Sequence, residues 1–242
     1  SQDQIEAFLK AAAQAADVIK RQVEQNASVQ VLSHLDADGL AAAGVIGTAL
    51  ARLDSSFRIR IERWLDERVI KSLMRDEPRL TIMCDLGGSD IVLLSSKLKN
   101  KQLIVLDHHQ PVGNANHDFV HVNPHLFGID GSRDLSSSGI AYFVAKAVDE
   151  TNIDLAAIAI VGALGDLQDK YDQRRLCGPN ALILKDAESK GYLKTETDLT
   201  FFGRETRPIH KALACTTTPF IAGLSGEEDR SLAFLASLGI TP

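Results

Sequence analysis

The sequence predicts an α/β fold in which a mostly parallel sheet carries helices on both faces. Strand-like and helix-like segments alternate along residues 1–199, and the strand-like segments VQVL, TIMC and LIVL are largely apolar. Alternation of this kind is typical of βαβ units, and apolar central strands indicate a sheet that is covered on both sides. The 242 residues suffice for one large domain of this class, or for one domain and part of a second.

Each element follows from the spacing of its apolar residues. Residues 3–25 place apolar side chains three and four positions apart, which predicts an amphipathic opening helix. The segment FRIRIERW alternates apolar and charged residues, as an exposed or edge strand does. The other predicted strands are SVQVLS, RLTIMCDL, KQLIVLD and DFVHVN, and the other predicted helices are GLAAAGVIGTALARL, DERVIKSLMRDE, SDIVLLSSKLKN, SSSGIAYFVAKAVDE, IDLAAIAIVGALGDLQDK and NALILKDAESKG.

Composition and charge restrict the class of protein. The chain contains no apolar run of the ~18 residues that a membrane helix needs, and its first residues lack the pattern of a signal peptide. We therefore expect a cytoplasmic protein with no membrane partner. The net charge of −6 does not favour duplex DNA as a partner, although bound divalent metals would reverse the sign locally. The three cysteines form no CxxC pair, so neither a disulfide framework nor a zinc site is expected.

Acidic and imidazole side chains follow the predicted parallel strands at the points where the strands end. In open α/β sheets, ligands bind beyond the carboxyl ends of the strands. A further acid ends an apolar helical run, where a carboxylate is otherwise out of place. These residues are His34, Asp36 and Asp38 after the first strand, Asp85 after TIMC, Asp107, His108 and His109 after LIVL, and Asp166 after the helical run.

Taken one at a time, these residues have structural explanations. Asp36 or Asp38 could cap the next helix, and Asp85, which precedes two glycines, could be a turn residue. Together they fit two-metal hydrolysis of a phosphoester, because hard divalent cations take carboxylates and a bridging carboxylate can join two ions. Without cations, the carboxylates would repel one another or take up protons. We expect two divalent cations, with Mn²⁺ preferred over Mg²⁺ because imidazole is among the ligands.

A dinucleotide-binding dehydrogenase is the rival interpretation of the same α/β pattern. Such a protein requires a GxGxxG turn after its first strand, and this chain has SHLDADG there. Two aspartates in that turn would repel a pyrophosphate unless a metal intervened. The sequence therefore argues against this rival.

Four ordered motifs, HLDADG, CDLGG, DHH and GALGD, resemble those of the DHH phosphoesterase superfamily. Within it, HLDADGL, VNPHLFGIDGS and SSSG are similar to the archaeal RecJ-like branch, which includes the GINS-associated nuclease and the related helicase scaffold of the replisome. The resemblance implies a DHH domain over residues 1–199. Enzymes of this type normally carry a second domain with a glycine-rich, histidine-containing motif. Residues 200–242 lack that motif and are similar to a connecting segment, so the second domain is expected to be absent.

The resemblance also implies a set of metal ligands. Each of the four motifs contributes at least one of them, and one carboxylate lies between the two ions. The implied ligands are His34 and Asp36 for one ion and Asp38, His108 and Asp166 for the other, with Asp85 as the bridge.

Other residues are implied to act on the substrate. His109 would contact the scissile phosphate and stabilise the transition state or protonate the leaving oxygen, and Asp107 would orient the histidines. The N-terminus of the helix that SSSG opens could accept a phosphate, although a serine run also caps helices. Arg133 could contact a phosphate or simply be solvated. The residues of the helix start are Ser136, Ser137, Ser138 and Gly139.

Three functions remain open at this stage. The first is a metal-dependent phosphodiesterase that acts on single-stranded DNA or RNA as a RecJ-like exonuclease. The second is a replisome scaffold that binds the GINS complex and the replicative helicase with little or no catalysis. The third is a phosphodiesterase of short oligonucleotides or cyclic dinucleotides.

Overall fold

The computed structural model of the chain contains two compact units, Ser1–Lys194 and Thr195–Pro242. The boundary predicted at residue 200 lies inside the second unit. The structure describes residues 1–75, 78–98, 101–113, 119–171 and 174–240.

The first unit contains a five-stranded sheet. Its strands are β1 (Val29–His34), β2 (Phe57–Glu62), β3 (Leu80–Cys84), β4 (Gln102–Leu106) and β5 (Phe119–Val122). They lie in the order β2-β1-β3-β4-β5, and every neighbouring pair is parallel. The predicted α/β class and parallel sheet are confirmed, and FRIRIERW supplies an edge strand, as its alternating pattern predicts.

Helices cover both faces of this sheet. Successive strand residues point to opposite faces, so Val31 and Ile82 belong to one apolar core while Leu32 and Met83 belong to the other. The helices of this unit include α1 (Gln2–Glu24), α2 (Ala37–Arg52), α3 (Glu67–Arg75), α4 (Ile91–Lys97), α5 (Ser137–Val148), α6 (Ala156–Gly165) and α7 (Gly178–Ser189). The first core contains residues of α1, α2, α5, α6 and α7, and the second core contains residues of α3 and α4.

The ends of two predicted helices and the start of one predicted strand cannot be compared with the structure. Each of these positions lies outside the described residues. The positions are Asp76 and Glu77, Lys99 and Asn100, and Asp118.

One predicted helix is divided and shorter than expected. The segment IDLAAIAIVGALGDLQDK is predicted as a single helix, but the structure has a 3₁₀ helix over Glu150–Leu155 followed by α6, which ends at Gly165. Leu167 has a left-handed backbone with φ 55°, and the amides of Leu167 and Gln168 donate to carbonyls of the preceding turn. This reversal terminates the helix and turns the chain after Asp166, so that Gln168 is buried in the first unit.

The second unit contains two helices, α8 (Ile209–Cys215) and α9 (Glu228–Ser237). The weak apolar periodicity of residues 200–242 predicts neither of them. Both are short, so few apolar positions repeat within each helix. In the parts of the chain that the structure describes, no helix has both the length and the apolar character needed to cross a membrane.

Candidate metal centre

Three adjacent strands deliver the predicted ligands to one rim of the sheet. His34 is the last residue of β1, Asp85 follows β3 and Asp107 follows β4. Asp85 has a left-handed backbone with φ 59°, and its amide donates to the carbonyl of Leu106 at 2.9 Å. Aspartate tolerates this conformation better than most residues, so the chain can turn sharply here and keep a carboxylate at the strand end.

The buried carboxylate of Asp85 lies at the centre of the site. Its Oδ2 atom is 3.3 Å from Nδ1 of His34, and its Oδ1 atom is 3.4 Å from Nε2 of His108 and 3.8 Å from Nδ1 of His109. Two groups of potential ligands share this carboxylate. The first is His34, Asp36 and Asp85, the second is Asp85, His108 and His109, and within each group the ligand atoms lie within 4.8 Å of one another.

Asp36 forms the exposed side of the first group. Its Oδ1 atom accepts a hydrogen bond from the amide of Gly39 at 2.9 Å and caps α2, while its Oδ2 atom lies 2.9 Å from Nδ1 of His34. Partial burial opposes ionisation, but the Gly39 amide and neighbouring polar groups outweigh it and lower the pKa of Asp36. A Cβ atom at Gly39 would lie 2.5 Å from the His34 carbonyl oxygen, which explains the glycine that ends HLDADG.

Asp38 is buried against the start of α5. Its carboxylate accepts hydrogen bonds from the Ser137 amide at 2.7 Å and from the amide and hydroxyl of Ser138 at 3.0 and 2.5 Å. Its Oδ2 atom also lies 3.9 Å from Nε2 of His108. Burial raises the pKa of Asp38, although these donors and the His108 ring oppose the rise. The Ser137 hydroxyl donates to Asp85 at 3.0 Å, so α5 supports two carboxylates of the site.

The serine run Ser136–Ser138 forms hydrogen bonds within the chain at the start of α5. The Ser136 hydroxyl accepts from the Gly139 amide at 3.2 Å and caps α5, as the alternative interpretation of the run predicts. Ser136, Ser137 and Ser138 are fully buried. The amides of Ser137 and Ser138 donate to the buried carboxylate of Asp38, and a phosphate contact at this helix start stays a prediction.

Arg133 is the other predicted phosphate contact. It follows the short strand β5 in sequence, and its Nε atom donates to Asp134 at 2.9 Å. The side chain is half-exposed and keeps access to solvent. A contact between Arg133 and a phosphate stays a prediction.

His108 presents its two ring nitrogens to different partners. Its Nδ1 atom lies 2.7 Å from the carbonyl oxygen of Gly131, to which it donates, and its Nε2 atom faces Asp85 and Asp38. Burial alone would lower the pKa of His108, but the Asp85 hydrogen bond and the two carboxylate charges raise it to about 10. A proton on Nε2 of His108 therefore balances the buried negative charge of Asp85 and Asp38. A metal cation at the same position would also balance that charge.

Burial and neighbouring carboxylates act on Asp85 as well. Burial is the main cause that raises the pKa of Asp85 to about 6, and the charges of Asp38 and Asp107 add to it, while His108 opposes it. Without a cation, the buried carboxyl group of Asp85 therefore ionises less readily than an exposed aspartate. A divalent cation would favour the ionised carboxylates by supplying the missing positive charge.

Asp107 holds His109 at the outer side of the cluster. Its Oδ1 atom accepts from the His109 amide at 3.2 Å and lies 2.7 Å from Nδ1 of the ring, while its Oδ2 atom accepts from the Gly88 amide at 2.6 Å. A Cβ atom at Gly88 would lie 2.8 Å from Asp107, so the second glycine of CDLGG allows this approach. His109 is half-exposed, and its ring contacts with Asp107 and Asp85 are made by Nδ1.

Asp166 approaches His108 from the other side of the ring. Its Oδ2 atom lies 3.8 Å from Nδ1 of His108, whereas Asp85 and Asp38 face Nε2. Joint ligation of one ion by Asp166 and His108 Nε2 thus stays a prediction. In this structure the carboxylate is held by a hydrogen bond from Nε2 of Gln168 at 3.0 Å.

Sequence reasoning missed a pair of buried amides behind this carboxylate. Gln168 also donates to the Gly131 carbonyl at 2.8 Å, the same oxygen that accepts from His108, and its Oε1 atom accepts from Asn180 at 2.6 Å. Gln168 and Asn180 are fully buried. Gln168 lies two residues after Asp166, which could have indicated its role. The prediction of one continuous helix through this segment hides that relationship.

The donor set fits a cation. Nδ1 of His34 lies 2.9 Å from Oδ2 of Asp36 and 3.3 Å from Oδ2 of Asp85, but neither Nδ1 of His34 nor Oδ2 of Asp85, both buried, has a partner with hydrogen-bond geometry. Buried polar atoms are nearly always satisfied, so two converging atoms without a hydrogen bond indicate a missing partner. Carboxylate oxygens and imidazole nitrogens at this separation are the ligand types of Mn²⁺ and Mg²⁺ sites.

Comparison with known proteins identifies the family. Residues 28–164 match the N-terminal domain of the DHH family, so the chain belongs to that family. Residues 201–242, treated above as a connecting segment, match the DHH-CID domain.

The chain is also similar to a curated protein and to solved structures. An uncharacterised protein of Methanocaldococcus jannaschii is 34% identical over 220 residues, which are 88% of this chain and 49% of that protein. RecJ of Thermus thermophilus in complex with Mn²⁺ superposes with a TM-score of 0.60 at 21% identity, over 95% of this chain and 33% of RecJ. CDC45 of Entamoeba histolytica superposes with a TM-score of 0.72 at 13% identity, over 96% of this chain and 51% of CDC45.

These similarities support the fold more strongly than they support any activity. The two structures share the α/β architecture with this chain, and one of them is described with bound manganese. The chain spans about half the length of the curated relative that it matches. The predicted membership of the DHH family is confirmed, while the chemistry of the chain depends on the site itself.

Proposed function

We propose that this protein is a two-metal-dependent phosphodiesterase that hydrolyses single-stranded nucleic acid as a RecJ-like exonuclease. The observation that carries this proposal is the position of Asp85, whose Oδ2 atom faces His34 and whose Oδ1 atom faces His108. A carboxylate shared by two cation sites is the arrangement that two-metal phosphoester hydrolysis uses. The fold shared with the Mn²⁺ complex of Thermus thermophilus RecJ agrees with this chemistry.

The proposed ligands are those that the sequence predicts. His34 and Asp36 would hold one ion, His108 and Asp38 the other, and Asp85 would bridge them, while Asp166 would complete the second site. When bound, the two cations would supply electrostatic stabilisation of a phosphoryl oxygen and lower the pKa of water, with Mn²⁺ preferred and Mg²⁺ possible.

The remaining groups of the chain would act on the substrate. Asp107 fixes the His109 ring through Nδ1, which leaves Nε2 to hold a proton near the leaving oxygen. The same ring could stabilise the charge that develops on the phosphate in the transition state. In this proposal Asp107 acts by orienting His109 and does not bind an ion.

Two other functions lead to different experimental results. The similarity to CDC45 supports a replisome scaffold as the second function, and the resemblance in sequence implies GINS and the replicative helicase as its partners. The same metal site could also cleave short oligonucleotides or cyclic dinucleotides. A scaffold needs no cations at Asp85, whereas both enzymes do.

The test begins with metal binding. The protein is titrated with Mn²⁺, and free Mn²⁺ is followed by electron paramagnetic resonance. We expect two ions per chain for the parent and at most one for Asp85→Asn. Asp54→Asn is the matched control, because Asp54 has the same left-handed backbone as Asp85, with φ 53°, and is exposed.

Cleavage is then measured on end-labelled single-stranded DNA, RNA, short oligonucleotides and cyclic dinucleotides. Release of mononucleotides from the long strands by the parent, with about a hundredfold or greater loss in Asp85→Asn, supports the proposal. Cleavage confined to the short or cyclic substrates would replace it with the third function. A parent that binds no Mn²⁺ and cleaves nothing, yet binds GINS or the helicase, would contradict it and favour the scaffold.

A further inference from the structure

The edge of the sheet beside the metal centre carries the single tryptophan of the chain. Trp64 lies in the loop between β2 and α3, and 62% of its surface is exposed. A tryptophan is normally largely buried, because it is among the largest apolar side chains. Its exposure beside a candidate nucleic-acid site therefore requires an explanation.

The register of the sheet places this tryptophan near the rim. Glu62, the last residue of β2, is paired with His34, the last residue of β1. Neighbouring strands lie about 4.8 Å apart, and two residues of chain reach at most about 7 Å, so the Cα atom of Trp64 lies within about 12 Å of that of His34. A short run of nucleotides can span this separation.

The surroundings of Trp64 are cationic although the chain as a whole is acidic. Residues 57–75 contain six arginines and lysines against three carboxylates, in a chain whose net charge is −6. Arg60 and Arg68 both bind the carboxylate of Glu62, so one acid serves two guanidinium groups. The local charge is thus complementary to a phosphate backbone.

Arg63 contributes charge and geometry at the same point. Its guanidinium carbon lies 5.0 Å from the centre of the Trp64 ring, at cation–π distance. Among the residues that the structure describes, no carboxylate pairs with Arg63. An exposed aromatic ring with an adjacent cation is the combination that single-stranded nucleic acids recognise, because bases stack on the ring while phosphates meet the charge.

We propose that Trp64 and Arg63 form a base-stacking subsite that guides a single strand to the metal centre. One nucleobase stacks on the Trp64 ring, and Arg63 contacts an adjacent phosphate. This inference deepens the proposed function, since it concerns how the same site meets its substrate. It commits to single-stranded nucleic acid as the occupant because of the cationic surroundings and the position beside the rim.

The single tryptophan makes the subsite directly observable. Phosphorothioate-linked oligothymidylate and oligouridylate, which resist hydrolysis, are titrated into the full chain, and Trp64 fluorescence is recorded. We expect stacking to quench the fluorescence saturably, and the two probes separate DNA from RNA preference. Affinity is measured in parallel by the anisotropy of labelled oligonucleotides, so that variants without tryptophan can be compared.

Variants at the two positions separate stacking from charge. Trp64→Ala should weaken binding about tenfold or more, and Trp64→Phe should recover most of that loss. Arg63→Gln should lower the slope of log affinity against log salt by about 0.7, the value for one phosphate contact on a single strand. Tyr192→Ala and Lys10→Gln, which alter an exposed aromatic and an exposed cation elsewhere in the first unit, should bind like the parent.

The outcomes distinguish this inference from the proposed function. Quenching and the expected losses without Mn²⁺-dependent cleavage would support the subsite and contradict the phosphodiesterase. Cleavage by the parent with unchanged binding in Trp64→Ala would overturn the subsite alone. If Trp64→Ala binds oligonucleotide normally but changes the sedimentation coefficient of the protein, this surface is a protein contact and the inference is wrong.

Discussion

The two sides of the Asp85 carboxylate differ in how firmly their ligands are held. On the inner side, Asp38 and His108 are buried, and Asp38 accepts three hydrogen bonds from α5. On the outer side, the Asp36 side chain is 47% exposed, and Nδ1 of His34 has no hydrogen bond. Preorganised ligands bind a metal without first being ordered, so we expect the inner ion to bind more tightly than the outer ion.

The largest effect is expected when the inner side loses Asp38. Asp38→Ala leaves the buried amides of Ser137 and Ser138 without their acceptor, so the free energy of unfolding should fall by about 3 kcal/mol. Urea denaturation in EDTA measures this loss without any contribution from bound metal. Asp17→Ala, which removes an exposed carboxylate from α1, should change stability by less than about 0.5 kcal/mol. Equal effects of the two variants would contradict the buried role of Asp38.

Addition and removal of Mn²⁺ test whether the two proposed ions bind with different affinities. A ligand that binds only the folded state adds about 2.7 kcal/mol when its free concentration is a hundred times its Kd. Thermal unfolding of the parent should therefore shift upwards in two stages as Mn²⁺ increases, and EDTA should reverse both stages. Asp85→Asn, which is expected to bind at most one ion, should show at most one stage. A single stage with two equivalent ions would contradict the difference between the two sides.

The buried amide pair should matter for metal affinity. Gln168→Leu removes the donor to Asp166 and to the Gly131 carbonyl, which fixes His108, so affinity for the inner ion should fall about 10- to 100-fold. Electron paramagnetic resonance of Mn²⁺ gives the change. Gln30→Leu is the matched control, because Gln30 is equally buried but lies near the start of β1, away from the rim.

If both glutamine variants keep the affinity of the parent, Gln168 does not position the ligands. If both lose it equally, the loss reflects a general disturbance of the fold. Only a loss confined to Gln168→Leu supports the assigned role, and denaturation in EDTA shows how far stability differs between the two variants.

The sequence predicts where the candidate ligands lie better than it predicts the residues that support them. Each predicted ligand after a strand follows directly from parallel topology, because the carboxyl ends of β1, β3 and β4 meet at one rim. The resemblance to the DHH phosphoesterases implies that Asp107 orients the histidines, and the structure places its Oδ1 atom 2.7 Å from Nδ1 of His109. In each case the residue lies directly after a strand, so its position in the sequence indicates its position in the fold.

Hydrogen bonds from residues distant in the sequence, which hold the candidate ligands in place, cannot be predicted in this way. Ser137 lies 52 positions from Asp85, and Asn180 lies 12 from Gln168. The chain reversal after α6 depends on the left-handed backbone of Leu167, and no glycine occupies that position to signal it in the sequence. The apolar pattern therefore extends the helix too far and hides Gln168 within it.

The smallest effect is expected at the outer side. Asp36→Ala removes the cap that accepts from the Gly39 amide, which should cost about 1 kcal/mol of unfolding free energy in EDTA. The loss is smaller than for Asp38→Ala because water can replace an exposed cap, whereas buried amides have no other acceptor. In Mn²⁺ titrations, Asp36→Ala should abolish the weaker stage and leave the tighter one. A variant that lost the tighter stage first would reverse the assignment of the two sides, because it would make the exposed ligands the better organised ones.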